Sequence, residues 1–529
     1  MTSNRYASAL SVRSTPQTQP IPGKSQVKNS AGGYVFALSD EKRLERFLIL
    51  GNEGGTYYAS ERKLTKQNAD ALLRLISKNG VKAVETIAQI SESGRAPKND
   101  PAIFALAVAA KLGDDATRRA AYAALPRVCR YATALFQFVD CIEEFGGWSR
   151  GSRTAVANWY NLKTADQVAY QFVKYQQRNG RSHRDLFRLA HIYAPGVDLD
   201  YRGLYEYIRT GRASGYVPGI IQGFVLINSI SDPLSAARIV RDYGLPREAV
   251  PTQFLNDKAV WEALLENMPM TAMIRNLATM TRNGIIAPFS EGTNKVISEL
   301  TNTEKLRKAR VHPIQILTAM LTYAQGYGVR SDTRWKPEER IVDALNDAFY
   351  ATFENVTPAG KNFLLAQDVS GSMDSGTVAG VPGLTPAKAA AAMVLVTMNT
   401  EPMTLHRAFD TGLKDIKISP KMRLDQVVGK TAYNGGGTDC SMPMKYALSN
   451  DLPIDTFVVY TDNETWAGSQ HASQALVKFR EKSGRAAKLV VVGMTATGFT
   501  IADPNDAGML DVVGFDTATP ALISDFARE

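Results

Sequence analysis

The sequence predicts two kinds of domain in one chain: an all-α region of short helical hairpins, followed by an α/β domain built on a doubly wound parallel sheet. Three observations predict this. Between about Gly32 and Gly360, apolar residues recur at helical spacing, with Gly, Asn and Pro at the breaks. After Gly360 the texture changes to short apolar runs alternating with helical stretches, the pattern of strand–helix–strand units. Charge divides at the same place. Residues 361–529 carry 15 Lys and Arg against 18 Asp and Glu, a net of −3, so within a chain of net +9 residues 1–360 carry +12.

With 529 residues the chain is long enough for several domains, and 44% hydrophobic with 21% charged residues is the balance of a soluble globular protein. Residues 1–31 are polar, with Arg5, Arg13, Lys24 and Lys28 among Ser, Thr, Gln and Pro. They hold no apolar core of a secretory signal and are expected to form a disordered arm. No apolar run approaches the roughly 20 residues that span a bilayer, so no membrane is expected. The longest, Ala389 to Met398, reads as a buried helix. Cys129, Cys141 and Cys440 have neither metal-ligand spacing nor a disulfide framework, which fits a reducing cytoplasm.

The helical elements follow in order. Over 68–78, Ala69, Leu72, Leu73 and Ile76 share one face, and Asn79-Gly80 stops the helix. A second runs over 81–93 and stops at Gly94. A third opens with Asp100 as cap and Pro101 in the first turn, then continues over 103–112 to Gly113. Further helices are expected at 165–178, 183–191, 261–267, 271–282, 313–326 and 338–352. Short turns join them as hairpins, but no fixed repeat period is visible. In the second part, strands are expected at 363–367, 404–409, 456–460 and 489–492, with helices at 386–398, 442–448 and 469–481 between them.

Ligands of such sheets bind at the carboxyl ends of strands. Asp368-Val369-Ser370-Gly371-Ser372 stands at one such end and offers three hard oxygens to a hard cation such as Mg²⁺. Alone, this D-x-S-x-S run is as well explained by an Asx turn. Two later segments strengthen the metal reading. Gly435-Gly436-Gly437-Thr438-Asp439 lets a backbone come close and present Thr438, and the strand 456–460 ends at Thr461-Asp462. Asp368, Ser370, Ser372, Thr438 and Asp462 are therefore the candidate metal ligands, with Asp439 read as a helix cap. Only two of the five carry charge, so a position is left for an outside carboxylate. The set resembles the metal-ion-dependent adhesion site of von Willebrand factor A domains. That resemblance implies Mg²⁺ as the divalent cation and a ligand-binding role without catalysis.

Enzyme signatures are missing from the sequence. It has no G-x-S-x-G elbow, Walker A loop or H-E-x-x-H. A phosphoaspartate site of the D-x-D type wants Asp where Ser370 stands, and His183, His191, His312, His406 and His471 are scattered.

The positive charge is densest over 145–195. Arg150, Arg153, Lys163, Lys174, Arg178, Arg181, Arg184 and Arg188 face only Asp166 and Asp185 there. Trp159, Tyr160, Tyr170, Phe172, Tyr175 and Phe187 interleave, of which Trp159 and Phe172 are read as core. Asn179-Gly180 ends one helix and leaves Arg181, Ser182 and His183 at the start of the next. Free N–H groups and cations at that helix start favour phosphate. Arg and His also stack on unpaired bases. Lys174, Arg178, Arg181, His183, Arg184, Arg188, Arg150 and Arg153 are the candidate RNA-binding residues.

Across both parts the chain resembles the Ro autoantigen (TROVE module) family. The resemblance is carried by Gly54-Gly55-Thr56-Tyr57-Tyr58, Trp159-Tyr160-Asn161, the run Lys174 to Asp185, Arg188-Leu189-Ala190-His191, Ala309 to Pro313, Trp335-Lys336-Pro337 and Phe499 to Pro504. It covers the chain from about Gly32 to the end. It implies a ring of HEAT-like helical repeats over 32–360, closed by a von Willebrand A domain over 361–529. It implies Y RNAs bound on the basic outer surface, ends of misfolded RNAs entering the ring, and a role in RNA quality control. A protein partner such as a ribonuclease is implied for the von Willebrand A domain. The family pattern tends to place Trp two residues before His183; Arg181 stands there and adds charge. A ring closed within one chain needs no symmetry mate, so a monomer is expected. The competing expectation is a protein-interaction adaptor whose metal site captures a partner carboxylate.

Overall fold

The computed structural model describes residues 14–529 other than 54–55, 58, 179, 196–198, 213–214, 329–331, 354–355, 382 and 431–434. The first thirteen residues of the expected arm, Gly54, Gly55 and Tyr58, and Asn179 of the expected turn lie outside the described residues. Chain contacts divide the fold into two units. One comprises the residues up to Ala71, Arg95–Lys98 and Phe353–Glu529; the other comprises Leu72–Gly94 and Asn99–Thr352.

The second unit is a succession of helices joined by short turns. Its first helices show why the sequence stops where it does. In the helical stretch Glu61–Ser93, of which this unit holds the part from Leu72 on, Asn79 takes an extended backbone (φ −159°, ψ 77°) and breaks the helix. The break at Asn79-Gly80 is also a packing site, because a Cβ on Gly80 would lie 2.1 Å from the Thr117 hydroxyl. Asp100–Leu112 packs against Asp115–Val128 and Ala132–Glu144, burying Leu106, Leu125, Leu135 and Phe138 completely. Asn99, not Asp100, occupies the cap position there, and Asp100 accepts a bond from Gln137 instead (2.8 Å). Side-chain caps recur where helices start. Asp114 accepts from the N–H of Thr117, and Ser149 and Thr164 close reciprocal capping boxes with Ser152 and Gln167.

The first unit is built on a mixed six-stranded sheet. Its strands are β1 (Phe363–Asp368), β2 (Thr404–Phe409), β3 (Leu413–Lys414), β4 (Thr456–Thr461), β5 (Lys488–Gly493) and β6 (Met509–Val513). Their order across the sheet is β6-β5-β4-β1-β2-β3. All neighbours are parallel except β3, which pairs antiparallel with β2 at the edge. Every residue of β1 and β4 is buried, as expected for central strands covered on both faces. From β1 the chain first builds outward on one side, then returns to build β4, β5 and β6 on the other. The switch point lies between β1 and β4, which end at Asp368 and Thr461.

Two expectations about organisation are corrected. Residues 14–31 are not a disordered arm. Thr15 and Gln474 bond to each other, Lys24 pairs with Asp503 at 2.7 Å, and the strand Val27–Lys28 joins Tyr34–Ala37, which in turn pairs with Phe499–Thr500. Nor do residues 32–360 form one unit, since 32–71 pack with the sheet. The helix Asp40–Leu50 is fastened by Arg46, which is 1% exposed, bonds the carbonyls of Thr497 and Phe499, and pairs with Asp511 at 2.5 Å. Polar composition misled over 14–31 because that segment holds its place by hydrogen bonds and an ion pair, whereas the helix Asp40–Leu50 also buries Leu44, Phe47, Leu48, Ile49 and Leu50.

Candidate functional site

The switch point assembles the five predicted oxygen donors. Asp368 ends β1, and a 3-10 turn over Gly371–Asp374, with Ser370 at its cap position, takes in the last two residues of the D-x-S-x-S run. Thr438 comes from the glycine loop, tied to the first loop where the N–H of Gly371 bonds the carbonyl of Gly436. Asp462 follows directly on β4. Asp368, Ser370, Ser372, Thr438 and Asp462 are all buried, between 0% and 4% exposed. One Asp368 oxygen accepts from the Ser370 N–H (2.9 Å) and the other from the Thr461 hydroxyl (2.7 Å). Ser370 and Ser372 hydroxyls stand 3.3 Å apart. Asp462 accepts from the Glu464 N–H (2.9 Å) and from the Ser372 hydroxyl.

The residues fit a hard cation on two grounds. The Thr438 hydroxyl is buried without a hydrogen-bond partner, which is costly for a polar group unless something else occupies its lone pair. Burial, with Asp462 beside it, pushes the Asp368 carboxyl up to about 7, and burial raises Asp462 as well. Two carboxyls so placed gain from a cation between them. Among the described residues no three His, Cys, Asp or Glu side chains group as a metal cage, so hydroxyls would have to complete any coordination. Asp439 is held by the Ser441 N–H and hydroxyl and by Lys445 (3.2 Å), ahead of the helix Met442–Ser449. Glu464, not singled out from the sequence, is fully buried. Its carboxyl is pushed up to about 8 by burial and by Asp462, and one of its oxygens has no partner. The acidic run Asp462-Asn463-Glu464 was the available signal.

The basic segment is rearranged relative to expectation. The helix Ala165–Tyr175 ends early, and the chain turns through a two-stranded hairpin in which Arg178 opposes Arg181. His183 is 0% exposed and is corrected as an RNA contact. It lies among Phe136, Tyr160 and Phe172, with Nδ1 2.8 Å from the Tyr160 hydroxyl, and burial takes its pKa down to about 3. Arg181 does not add free charge, because Asp140 (2.6 Å) and Glu143 (2.7 Å) neutralise it. The expected phosphate site at the start of the helix His183–Leu189 is also corrected: Ser182 and Asp185 close a capping box there and bring an acidic group. Lys174 packs over the rings of Tyr170 and Tyr175, and Arg153 bonds the Leu189 carbonyl. Arg150, Arg178 and Arg184 are exposed, with no ion pair among the described residues; Arg188 is 79% exposed and only 3.7 Å from Asp185. The histidine that reaches solvent is His191, in left-handed backbone (φ 52°), near the exposed Tyr193 with Arg209 over its ring. Trp159 is core as expected, while Phe172 is half-buried.

Comparison with known proteins matches two family descriptions. A TROVE domain covers residues 27–212 and 244–361, and a Ro60 vWA domain covers 362–527. The chain is 42% identical over 527 residues to "RNA-binding protein RO60" of Deinococcus radiodurans, covering 98% of both. It is 35% identical over 583 residues to the protein of the same name from Caenorhabditis elegans, covering 95% of this chain and 90% of that one. The crystal structure of the Deinococcus radiodurans RO (RSR) protein superimposes with a TM-score of 0.69 at 41% identity, over 93% of this chain and 99% of that one.

Proposed function

Because the chain belongs to the Ro60 family, with a helical TROVE region followed by a vWA domain, we propose that it binds RNA through the exposed cations of its helical unit, without catalysis of its own. The observation that carries this reading is the exposure of Arg178, Arg184, Arg188 and His191 within one short stretch of chain, the three arginines left largely unpaired by acidic neighbours. Guanidinium groups in that state suit phosphate, and an exposed His and Tyr193 suit stacking on unpaired bases. The finer form of the reading is binding of small noncoding Y RNAs on this face and of single-stranded ends of misfolded RNAs, in RNA quality control. The metal reading belongs to the other unit. Mg²⁺ would be held by Asp368, Ser370, Ser372, Thr438 and Asp462, and when bound it would supply a positive centre for a carboxylate of a protein partner. The unpartnered Thr438 hydroxyl supports this second activity.

Gel-shift titration with a structured small RNA over 50–200 mM salt tests the first reading. Reversing Arg178, Arg184 and Arg188 to Glu should weaken binding and lower the salt slope by roughly 0.9 per phosphate contact removed. Unchanged affinity and slope would move the RNA surface elsewhere.

A further inference from the structure

We infer that Asn29 is a positioning residue for the metal centre: the N-terminal segment 15–34 straps the loop 461–466, and strap docking and Mg²⁺ binding stabilise each other. The inference rests on the metal reading of Asp368 and its partners proposed above.

The geometry starts at Asn29, which is buried. Its Oδ1 accepts from the Gly33 N–H (2.7 Å) and fixes a tight turn in the strap. Its Nδ2 donates to two carbonyls of the loop, Asn463 (3.3 Å) and Thr465 (2.7 Å). Beside it the Ala31 N–H donates to Glu464 (3.0 Å). Gly33 lies so close to the loop that a Cβ there would stand 2.0 Å from the Thr465 carbonyl. The strap is anchored further along by Gln17 on Gly468, by Gln19 on His471 and by Thr15 on Gln474.

The loop so held reaches three of the proposed ligands. The Thr461 hydroxyl donates to Asp368 and accepts from the Asn463 N–H (3.1 Å). The Glu464 N–H donates to Asp462. The Thr465 hydroxyl (2.9 Å) and the N–H groups of Trp466 and Ala467 all donate to the Thr438 carbonyl. One side-chain amide on the strap therefore fixes the peptides from which Thr438 and Asp462 are presented. A donor set of two carboxylates and three hydroxyls depends on such outer support, because each ligand contributes little by itself. Coupling of this kind is reciprocal: whatever tightens the loop tightens both the cation and the strap.

The test uses the full chain. Isothermal titration with MgCl₂ is run on wild type, Asn29→Ala, Asn29→Asp and Asp368→Ala, alongside hydrogen exchange of residues 26–37 in EDTA and in Mg²⁺. Asn29→Asp keeps the acceptor for Gly33 and removes the donated bonds to the loop. It should weaken Mg²⁺ about 10- to 100-fold, as loss of an outer-shell partner does. In wild type, Mg²⁺ should slow exchange over 26–37, a measurement that needs no variant to fold. A merely structural strap would lower stability in EDTA while leaving Mg²⁺ affinity intact. Wild-type binding with both Asn29 variants within about twofold, and exchange indifferent to Mg²⁺, overturns the strap inference and leaves the metal site standing. Wild type that binds Mg²⁺ no better than Asp368→Ala overturns both.

Discussion

His183 is sealed among aromatic rings in the helical unit, so its replacement by Phe is the most informative perturbation. Burial takes its folded pKa down to about 3, against an ordinary value near 6.5. A depressed histidine is neutral in the folded chain and takes up a proton only on opening. Its contribution is therefore complete above about pH 6.5 and is lost as pH falls from there towards 3. Between pH 7 and pH 5 that loss amounts to about 2 kcal/mol, since only the unfolded state binds the proton. Phe fits the aromatic surroundings of Phe136, Tyr160 and Phe172 but leaves the Tyr160 hydroxyl without its 2.8 Å partner. The cost at pH 7 is about 1–3 kcal/mol. The deficit of His183→Phe should accordingly shrink by about 2 kcal/mol on going to pH 5. Hydrogen exchange over the helices Arg150–Asn161 and Ala165–Tyr175 reads this locally, and comparing the two chains at one pH cancels intrinsic exchange rates. A deficit that stays constant, or grows in acid, would refute a neutral buried histidine. So would a folded His183→Phe chain that loses RNA affinity tenfold.

Three further outcomes follow from the geometry. Arg181→Ala should change RNA affinity by less than about twofold while loosening the hairpin 177–182, because its guanidinium serves Asp140 and Glu143; filter binding and hydrogen exchange report the two effects separately. Arg46→Ala should destabilise the first unit by about 3–5 kcal/mol, seen as a lower denaturant midpoint, since it leaves Asp511 and two carbonyls without their buried partner. Mg²⁺ at about 100 times its Kd should stabilise the wild-type sheet unit by about 2.7 kcal/mol and the Asp368→Ala chain not at all, measured as the metal-dependent shift in thermal midpoint.

The fold was legible where periodicity and chain order coincide. The strands 363–367, 404–409, 456–460 and 489–492 sit within a residue or so of β1, β2, β4 and β5, because continuous apolar runs bounded by polar turns have few other fates. The break at Asn79-Gly80 was legible for the same local reason. Less visible were the helices Asp40–Leu50 and Asp115–Val128, whose arginines and alanines blur the apolar stripe. Which segments share a unit was not legible at all. Residues 32–71 read as the start of the helical region, yet Arg46 fastens them to the sheet through carbonyls and a carboxylate more than 450 positions away.

Legibility of the sites divides along the same physical line. The convergence of the proposed donors was legible because two of them are set by topology: Asp368 ends β1 and Asp462 follows β4 at the switch point, while Thr438 was signalled by its glycine loop. A phosphate-binding face follows no such rule, since it depends on which cations are left unpaired after folding. Formal charge counted Arg181 and Arg188 alike, but one is neutralised by two carboxylates within 2.7 Å and the other is 79% exposed. Likewise two histidines eight positions apart carry the same hydrogen-bonding groups, and only burial separates them: His183 is sealed in an aromatic box, while His191 is held out in left-handed backbone. Arg181, two positions before His183, is thus an internal tie, and the proposed RNA contact rests on Arg178, Arg184, Arg188 and His191, which burial and carboxylates leave accessible.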